Sequence, residues 1–193
     1  MTAEFQPSSA RFSNVLVSSG HMIDAPGREQ PRFPEAKAEA VRAEIARQLQ
    51  EWRVGREALA ICGGASGGDT IFAEECLRRG AQLRLLLAEE VEDFARVSVA
   101  PAGEDWLDRF HALRRRAQVA ILSPAIRDGS IYERINHWII ESAQAALAPG
   151  GQLFALLVWD EKPAGDGPGG TADFEQRVRA LGGTIAIVNP TAL

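Results

Sequence analysis

The chain has 193 residues, of which 46% are hydrophobic and 24% charged, a composition typical of a globular protein that is long enough to bury a core. Its formal net charge of −5 argues against a general nucleic-acid binder or a protein of anionic membrane surfaces. Its two cysteines, Cys62 and Cys76, match neither a disulfide framework nor a metal-binding spacing, and we expect both to be small buried residues.

Residues 1–12 lack the basic start and apolar stretch of a secretory signal, and no apolar run is long enough to span a bilayer. No linker or internal repeat divides the sequence. We therefore predict a cytoplasmic protein that forms a single domain over residues 1–193, with a flexible N-terminal segment at residues 1–12.

Short apolar runs alternate with amphipathic helical patterns along the chain. The runs that we predict to be strands are residues 14–19, 58–62, 83–87, 117–122, 153–159 and 184–188. The helical patterns are residues 34–52, 104–116, 131–147 and 171–181. A further helix is predicted between the second and third strands, and it ends at Gly80. Continuous apolar strands separated by helices are typical of a parallel sheet that is covered on both faces. We therefore predict an α/β fold, a three-layer α/β/α Rossmann-like sandwich with a mostly parallel central sheet.

The first strand ends in a polar loop that contains Ser19, Gly20 and His21, and we predict that these residues form one wall of a ligand site. Histidine in general titrates near neutrality, which permits acid–base chemistry. No Ser-His-Asp or Cys-His arrangement follows from the spacing, so a structural or ligand-orienting histidine is the favoured interpretation. Arg28 and Arg32, later in the same loop, are candidates for pairing with ligand phosphates.

The second strand leads into a glycine-rich loop, Gly-Gly-Ala-Ser-Gly-Gly-Asp at residues 63–69, which a helix follows at once. Glycine lets backbone N–H groups turn toward a ligand, and the start of a helix adds unpaired donors and a partial positive charge. The pattern favours phosphate or another anion, although it is neither G-x-G-x-x-G nor Walker A. The predicted ligand-binding residues are Gly63, Gly64, Ser66, Gly67, Gly68 and Asp69.

A structural interpretation of the same loop competes with ligand binding. Ser66 and Asp69 have the spacing of a capping box, and glycines also allow a strand and a helix to pack closely. If the loop binds phosphate, Gly67→Val should abolish nucleotide binding and leave the protein folded. Farther along, the acidic cluster of Glu89, Glu90, Glu92 and Asp93 is interpreted as a solvated loop, because its spacing is not that of a calcium site.

A second glycine-rich loop joins the fifth strand to the last helix. Asp160, at its start, is a candidate acceptor of hydrogen bonds from ribose hydroxyls. A solvated acid and a flexible surface loop are the alternative interpretations. The other residues of this loop that we predict to contact the ligand are Gly167, Gly169, Gly170 and Thr171.

Three of these segments together resemble the SLOG superfamily. They are residues 20–24, 62–69 and 165–172, and the resemblance extends from about Val15 to Val188. This superfamily includes the Lonely Guy phosphoribohydrolases, the domain of DNA-processing protein A, and sensor domains attached to signalling or defence effectors. The resemblance implies a Rossmann-like fold that binds nucleotides or nucleotide-derived signals, usually as a homodimer.

The resemblance leaves enzymatic activity open. Lonely Guy enzymes carry P-G-G-x-G-T-x-x-E, whose glutamate assists cleavage of the N-glycosidic bond, whereas residues 168–171 here are Pro-Gly-Gly-Thr without the inserted x-G. We therefore predict binding or sensing of a nucleotide-like small molecule, with no cofactor and no metal. The alternative is a nucleoside 5′-monophosphate phosphoribohydrolase that uses Glu175 or Asp173. A single-stranded DNA-binding domain is a third interpretation, which the acidic balance disfavours.

Overall fold

The computed structural model describes residues 11–123, 129–162 and 170–193. Residues 1–10 of the segment predicted to be flexible, residues 1–12, lie outside this range, and so do the predicted ligand residues Gly167 and Gly169. Phe12 is buried at the start of the first strand, so the prediction of flexibility is wrong for this residue. The strands of the described part are β1 (Phe12–Gly20), β2 (Ala58–Cys62), β3 (Gln82–Leu87), β4 (Gln118–Ile121), β5 (Leu147–Val158) and β6 (Thr184–Val188).

The α-helices of the described part separate these strands. They are α1 (Ala38–Glu51), α2 (Gly68–Arg78), α3 (Val91–Ser98), α4 (Glu104–Arg114), α5 (Ile131–Ala146) and α6 (Thr171–Ala180). Short 3-10 turns lie at Glu35–Lys37 and Ala100–Ala102. None of the helices found in these residues has the length and apolar character that crossing a membrane requires.

The strands form one sheet in the order β4-β3-β2-β1-β5-β6, and every neighbouring pair is parallel. Leu16 at the centre of β1 is in register with Ala60 of β2 and with Phe154 of β5. The strand order reverses between β1 and β5. In open α/β sheets such a reversal opens a crevice at the carboxyl ends of the strands, where ligands bind.

Two hydrophobic clusters cover the two faces of the sheet. Leu16 packs in the cluster that contains the buried residues of α1, α2 and α4. Its neighbours Val15 and Val17 pack in the cluster of α5 and α6. Successive side chains of a strand point to opposite faces, so a central strand of a covered sheet is apolar throughout. The predicted three-layer Rossmann-like sandwich is confirmed, and its sheet is parallel throughout the described residues.

The start of α5 shows why one helix begins where it does. The Ser130 hydroxyl accepts the N–H of Glu133 at 3.1 Å, and the Glu133 carboxylate accepts the N–H of Ser130 at 2.7 Å. This reciprocal capping box satisfies two backbone donors that a helix start leaves unpaired. The first turn of α5 is thereby held at the edge of the crevice.

Two elements differ from the sequence predictions. The acidic residues 89–93, which we expected to form a solvated loop, lead into α3, whose Phe94 and Ala95 are buried. Acidic residues favour the first turn of a helix because they complement its dipole, so the cluster marks a helix start. In addition, β5 begins at Leu147, opposite Phe12 of β1, well before the predicted start at residue 153.

The two cysteines are free and buried, as predicted. Burial raises the pKa of the Cys62 thiol and that of the Cys76 thiol well above the usual range. Both thiols are therefore protonated at neutral pH, where a protonated thiol is a poor nucleophile and a poor metal ligand. They serve as small apolar residues at the end of β2 and near the end of α2.

Candidate functional site

A cavity of about 680 Å³ opens at the carboxyl ends of the central strands. Its lining comes from the end of β1 and the loop that follows, from the loop after β2, from α3 and α5, and from the start of α6. It therefore lies at the reversal of strand order beside β1. Both the position and the volume are typical of small-molecule sites in α/β proteins.

The lining combines an apolar wall with a limited set of polar groups, the usual composition of a ligand pocket. The apolar wall comes mainly from α3 and α5 and includes Phe94, Val97, Tyr132, Ile135 and Ile139. The polar and charged members include Ser18, His21, Arg28, Arg32, Ser66, Asp69, Asn136 and Thr171.

Residues from three predicted loops meet in this cavity. Of the predicted site residues, those that line it are Ser19, Gly20, His21, Gly63, Ser66, Asp69, Gly170 and Thr171. Those that the structure describes but does not place in the lining are Gly64, Gly67, Gly68 and Asp160. Loops that are far apart in the sequence thus converge because each follows the carboxyl end of a parallel strand.

The N–H groups of the first glycine-rich loop are largely used within the protein. Gly64 N–H donates to Asp69 Oδ2 at 3.1 Å. Ser66 N–H donates to the Ser98 carbonyl at 3.0 Å, and Gly68 N–H donates to the His21 carbonyl at 3.1 Å. A phosphate cradle needs donors that are not already engaged. The loop therefore wraps around the carboxylate of its own Asp69.

The capping box that the sequence suggested in this loop does not form. The N-cap residue of α2 is Gly67, which has no side chain with which to cap the helix. Asp69 instead reaches back to the N–H of Gly64, before the helix begins. Its carboxylate serves the loop and not the N-cap.

Gly67 and Gly68 allow α2 to start in contact with the loop that follows β1. Gly67 has a φ of +90°, and a Cβ there would lie 2.8 Å from both the His21 carbonyl oxygen and the Ile23 nitrogen. A Cβ on Gly68 would lie 2.9 Å from Cβ of Val158 in β5. A side chain at Gly67 would displace backbone, so we correct the expectation that Gly67→Val leaves the fold intact.

Asp69 is the one carboxylate among the described residues that line the cavity. Burial raises its pKa to about 6, although the Ser18 hydroxyl and the N–H groups of the loop favour the charged form. Asp69 Oδ1 and Ser18 Oγ are both buried, and neither has a hydrogen-bond partner of normal geometry in the described part of the chain. The two oxygens thus belong to a buried polar cluster in which the Ser18 hydroxyl interacts with the Asp69 carboxylate.

Asp160, just after β5, has basic partners. Its Oδ1 lies 2.9 Å from His21 Nε2 and 3.3 Å from Arg32 Nη2, while its Oδ2 lies 3.8 Å from Lys162 Nζ. Burial alone would raise the pKa of Asp160, but the hydrogen bonds and charges of His21 and Arg32 lower it to about 2. Asp160 is therefore ionised at neutral pH and positions His21 and Arg32, which line the cavity.

The loop after β1 presents two guanidinium groups to the cavity. Asp24 Oδ2 accepts the N–H groups of Arg32 and Phe33, each at 2.9 Å, and so folds the loop back on itself. Arg28 Nε lies 3.4 Å from Asp24 Oδ1, and 45% of the Arg28 side chain remains exposed. Both arginines line the cavity. The sequence named them as candidates for phosphate pairing, and both are residues of the cavity lining.

The start of α6 contributes a helix N-terminus to the same cavity. Its N-cap is Gly170, which makes no side-chain cap, and Thr171 in its first turn is buried in the lining. The carboxylates of the hydrolase alternative lie elsewhere on this helix. Glu175 pairs with Arg179 at 2.5 Å, Asp173 pairs with Arg177 at 2.8 Å, and neither acid lines the cavity.

The sequence analysis missed the wall formed by α3 and α5. Phe94 and Val97 reach the cavity from α3, and their signal was the helical spacing of Val91, Phe94 and Ala95 within the acidic segment. Asn136, 6% exposed, lines the cavity from α5, where a polar residue interrupts an apolar stripe.

Comparison with known proteins gives likenesses in structure alone. No protein-family model matches the chain, and no curated protein matches it. It is similar to the structural-genomics target TM1055 with 15% identity and a TM-score of 0.45, covering 89% of this chain and 72% of that one.

Two other solved structures are similar over most of this chain. For the Moco carrier protein from Chlamydomonas reinhardtii the identity is 9% and the TM-score 0.34, with 92% of this chain and 91% of that one covered. For DNA processing protein A from Streptococcus pneumoniae the identity is 14% and the TM-score 0.32, with 91% of this chain and 58% of that one covered. At such low identity the likeness concerns the fold alone.

Proposed function

We propose that the protein binds a nucleotide or a nucleotide-derived small molecule in the cavity beside β1. The observation that carries this proposal is the cavity itself, about 680 Å³ at the reversal of strand order, where an apolar wall and two arginines belong to the same lining. A nucleotide has the matching parts, a planar base, a sugar with hydroxyl groups and an anionic phosphate. Its size also suits a cavity of this volume.

The base is expected to lie against the apolar wall. Phe94 of α3 and Tyr132 of α5 supply aromatic surface, and Ile135 and Ile139 supply aliphatic surface between the turns of α5. Aromatic side chains favour stacked or edge-on contact with planar rings. Tyr132 is 65% exposed without a ligand, so it has surface to lose on binding.

The phosphate is expected at Arg28, Arg32 and the first turn of α6. Guanidinium groups match phosphate oxygens in geometry and charge, and a helix N-terminus adds backbone donors and a partial positive charge. The first glycine-rich loop suits this role less well, because several of its donors are engaged with Asp69, Ser98 and His21. The proposed phosphate subsite thus moves from the loop after β2 to the loop after β1 and the first turn of α6.

The proposal is one of binding without turnover. Glu175 and Asp173, the acids of the hydrolase alternative, are paired with arginines along α6 and lie outside the lining. We expect AMP to be recovered intact after prolonged incubation with the protein, as measured by chromatography. Release of free adenine and ribose 5-phosphate in proportion to protein concentration would contradict binding without turnover.

The phosphate assignment is tested by calorimetric titration with AMP and with adenosine. Arg28→Ala should weaken AMP binding roughly tenfold, the usual effect of a lost charge-assisted hydrogen bond, and leave adenosine binding unchanged. The matched control is Arg96→Ala, since Arg96 is 71% exposed and pairs with Asp93 on α3. Equal AMP affinities for wild type and Arg28→Ala would refute a phosphate contact at Arg28.

A further inference from the structure

A groove that is separate from the cavity lies between α2 and α4. It has a volume of about 390 Å³, and its lining shares no residue with that of the cavity. Half of the lining residues are arginines, so we call it the arginine groove. Its lining consists of Arg42, Glu74, Leu77, Arg78, Arg109, Ala112, Leu113 and Arg116.

Two glutamates hold the arginines of this groove in place. Glu75, 1% exposed, lies 3.1 Å from Arg42 Nη1 and 2.6 Å from Arg78 Nη1. Glu74 lies 2.8 Å from Arg109 Nε. Guanidinium groups that are already fixed lose little conformational freedom when a further anion binds to them. The groove is therefore organised before any partner arrives.

Positive charge remains in excess after this pairing. Arg79 also pairs with Glu75, and Glu39, 85% exposed, is a third acid that lies 3.4 Å from Arg42. Arg116 forms no ion pair with the part of the chain that the structure describes. Five arginines thus face three glutamates, which leaves two positive charges unbalanced in a chain whose net charge is −5. Such a surface attracts an anionic partner.

The opposite excess lies on residues 89–93, Glu-Glu-Val-Glu-Asp, which we call the acidic segment. All four acids are exposed. Among the described residues, Asp93 alone of the four has an ion-pair partner, Arg96 at 2.8 Å. Three negative charges therefore remain unbalanced around the half-buried side chain of Val91.

The arginine groove and the acidic segment face opposite ends of the sheet. Arg78 and Arg116 come shortly before β3 and β4, whereas the acidic segment follows the carboxyl end of β3. Helix dipoles favour acids at helix starts and cations at helix ends, which explains the separation of charge. No ion pair joins the two surfaces within the described residues. A single copy therefore leaves both unbalanced, and two copies can balance them.

The surroundings of the groove match a protein partner better than a nucleic acid. Bound single strands stack their bases on accessible aromatic side chains. The aromatic residue beside the groove is Trp106, which is 1% exposed and lies under Arg109, 3.8 Å from its ring centroid. Leu77 and Leu113 instead give the groove an apolar floor.

We infer that the arginine groove binds the acidic segment of a second copy of this chain. The carboxylates of the segment match the guanidinium groups in geometry and charge, and Val91 meets the apolar floor. A contact between two different surfaces is heterologous, so it continues from copy to copy and does not stop at a pair. Neither surface belongs to the cavity lining, so the inference is independent of nucleotide binding.

The experiment is sedimentation velocity of the full chain. A trace of fluorescently labelled wild type is mixed with increasing amounts of unlabelled wild type, in about 50 mM and in about 300 mM salt. The labelled protein should sediment faster as the concentration of unlabelled protein rises. The association should be at least about tenfold weaker at the higher salt concentration, because salt screens the charges that drive it.

Two charge-reversal variants identify the surfaces. The groove variant is Arg78→Glu with Arg116→Glu, and the segment variant is Glu89→Lys with Glu92→Lys. Each alone should associate with itself at least about tenfold more weakly than the wild type. A mixture of the two should regain the affinity of the wild type and stop at a one-to-one complex, because each variant retains the surface that the other lacks.

The matched control is Arg53→Glu with Arg115→Glu. Both arginines are exposed and lie outside the groove lining, and the change in net charge is the same as in the groove variant. This control should associate as the wild type does. If circular dichroism shows that the groove variant is unfolded, Arg116→Glu replaces it, since Arg116 has no ion pair to lose among the described residues. That single change should weaken association at least about threefold.

Several outcomes would overturn the inference. They are a wild type that does not associate at low salt, an equal loss in the groove variant and the control, and mixed variants that stay apart. A labelled single-stranded oligonucleotide is titrated in parallel. If it binds through the arginine groove and a second copy does not, the groove serves nucleic acid and the inference is wrong. None of these measurements uses a nucleotide ligand, so their failure leaves the proposed function standing.

Discussion

Asp160 and Asp69 both lie beside the cavity, and both have carboxylate oxygens that are removed from water, yet their surroundings differ. Asp160 at the end of β5 is met by His21 and Arg32, and its pKa falls to about 2. Asp69 at the start of α2 meets backbone N–H groups and the Ser18 hydroxyl, and its pKa rises to about 6. An acid that meets cations is held in its charged form and positions their side chains, whereas an acid that meets only neutral donors holds the backbone of its own loop in place.

The largest expected effect comes from removing the Asp160 carboxylate. Asp160→Ala leaves His21 and Arg32 without their shared acceptor in a buried position, and we expect the free energy of unfolding to fall by about 3 kcal/mol. Urea denaturation followed by circular dichroism measures this change. Asp173→Ala removes a more exposed ion pair and should cost less than about 1 kcal/mol. Equal losses in the two variants would show that Asp160 is no more than a surface acid.

The next effect concerns the backbone that holds Asp69 in place. Gly67→Ala places a Cβ 2.8 Å from the His21 carbonyl oxygen and the Ile23 nitrogen, so the loop after β1 must move away from α2. We expect the free energy of unfolding to fall by about 2 kcal/mol. Gly27→Ala is the control, because Gly27 also has a positive φ, +78°, but open space around it. A Gly67→Ala variant as stable as the Gly27→Ala variant would refute the close contact.

The smallest effect is a difference in pH dependence that sharpens the comparison. The pKa of Asp69 is about 6 in the folded protein and 3.8 ordinarily, so the folded state binds its proton more tightly. Asp69 therefore lowers stability as pH rises from about 4 through about 6, by at most about 1.4 kcal/mol per pH unit. The contribution of Asp160 to stability changes with pH in the opposite direction. It stabilises the folded state, and this contribution is lost as pH falls from 3.8 toward about 2.

Urea midpoints measured from pH 2.5 to 7.5 in wild type and Asp69→Asn check this sign. The difference between the two curves should grow in favour of the variant from about pH 4 to about pH 6, and then level off. The same difference between wild type and Asp160→Asn should grow in favour of the wild type above pH 2.5. If Asp69→Asn loses stability as pH rises, the assigned environment of Asp69 is wrong.

The fold could be predicted from the sequence because its information is local. Apolar runs such as residues 58–62 have no polar face, which only a sheet covered on both faces accommodates. The eight-residue helix α3 was missed because it is short and its first turn lies in a cluster of acidic residues that is also typical of a solvated loop. The early start of β5 was missed because the pairing of Leu147 with Phe12 is a tertiary contact.

The candidate site was predicted in outline, because loops after parallel strands must converge at one edge of the sheet. What the individual residues do there depends on partners far away in the sequence. His21 and Asp160 were both named as ligand residues, but they are 139 positions apart and bind each other. In the sequence, Gly67 and Gly68 are typical of a phosphate-binding loop. In the structure the His21 carbonyl lies against both glycines and accepts the N–H of Gly68, a contact that the sequence does not reveal.

The central claim, that this cavity binds a nucleotide, is tested most directly by thermal unfolding of the wild type with AMP, ADP, cyclic nucleotides and ADP-ribose. Inorganic phosphate serves as the control. A ligand at one hundred times its Kd should stabilise the fold by about 2.7 kcal/mol, which appears as a saturable rise in Tm. We expect at least one nucleotide to produce such a rise, to a smaller extent in Arg28→Ala, and phosphate alone to produce none. Unchanged Tm with every nucleotide up to millimolar concentration would contradict the account.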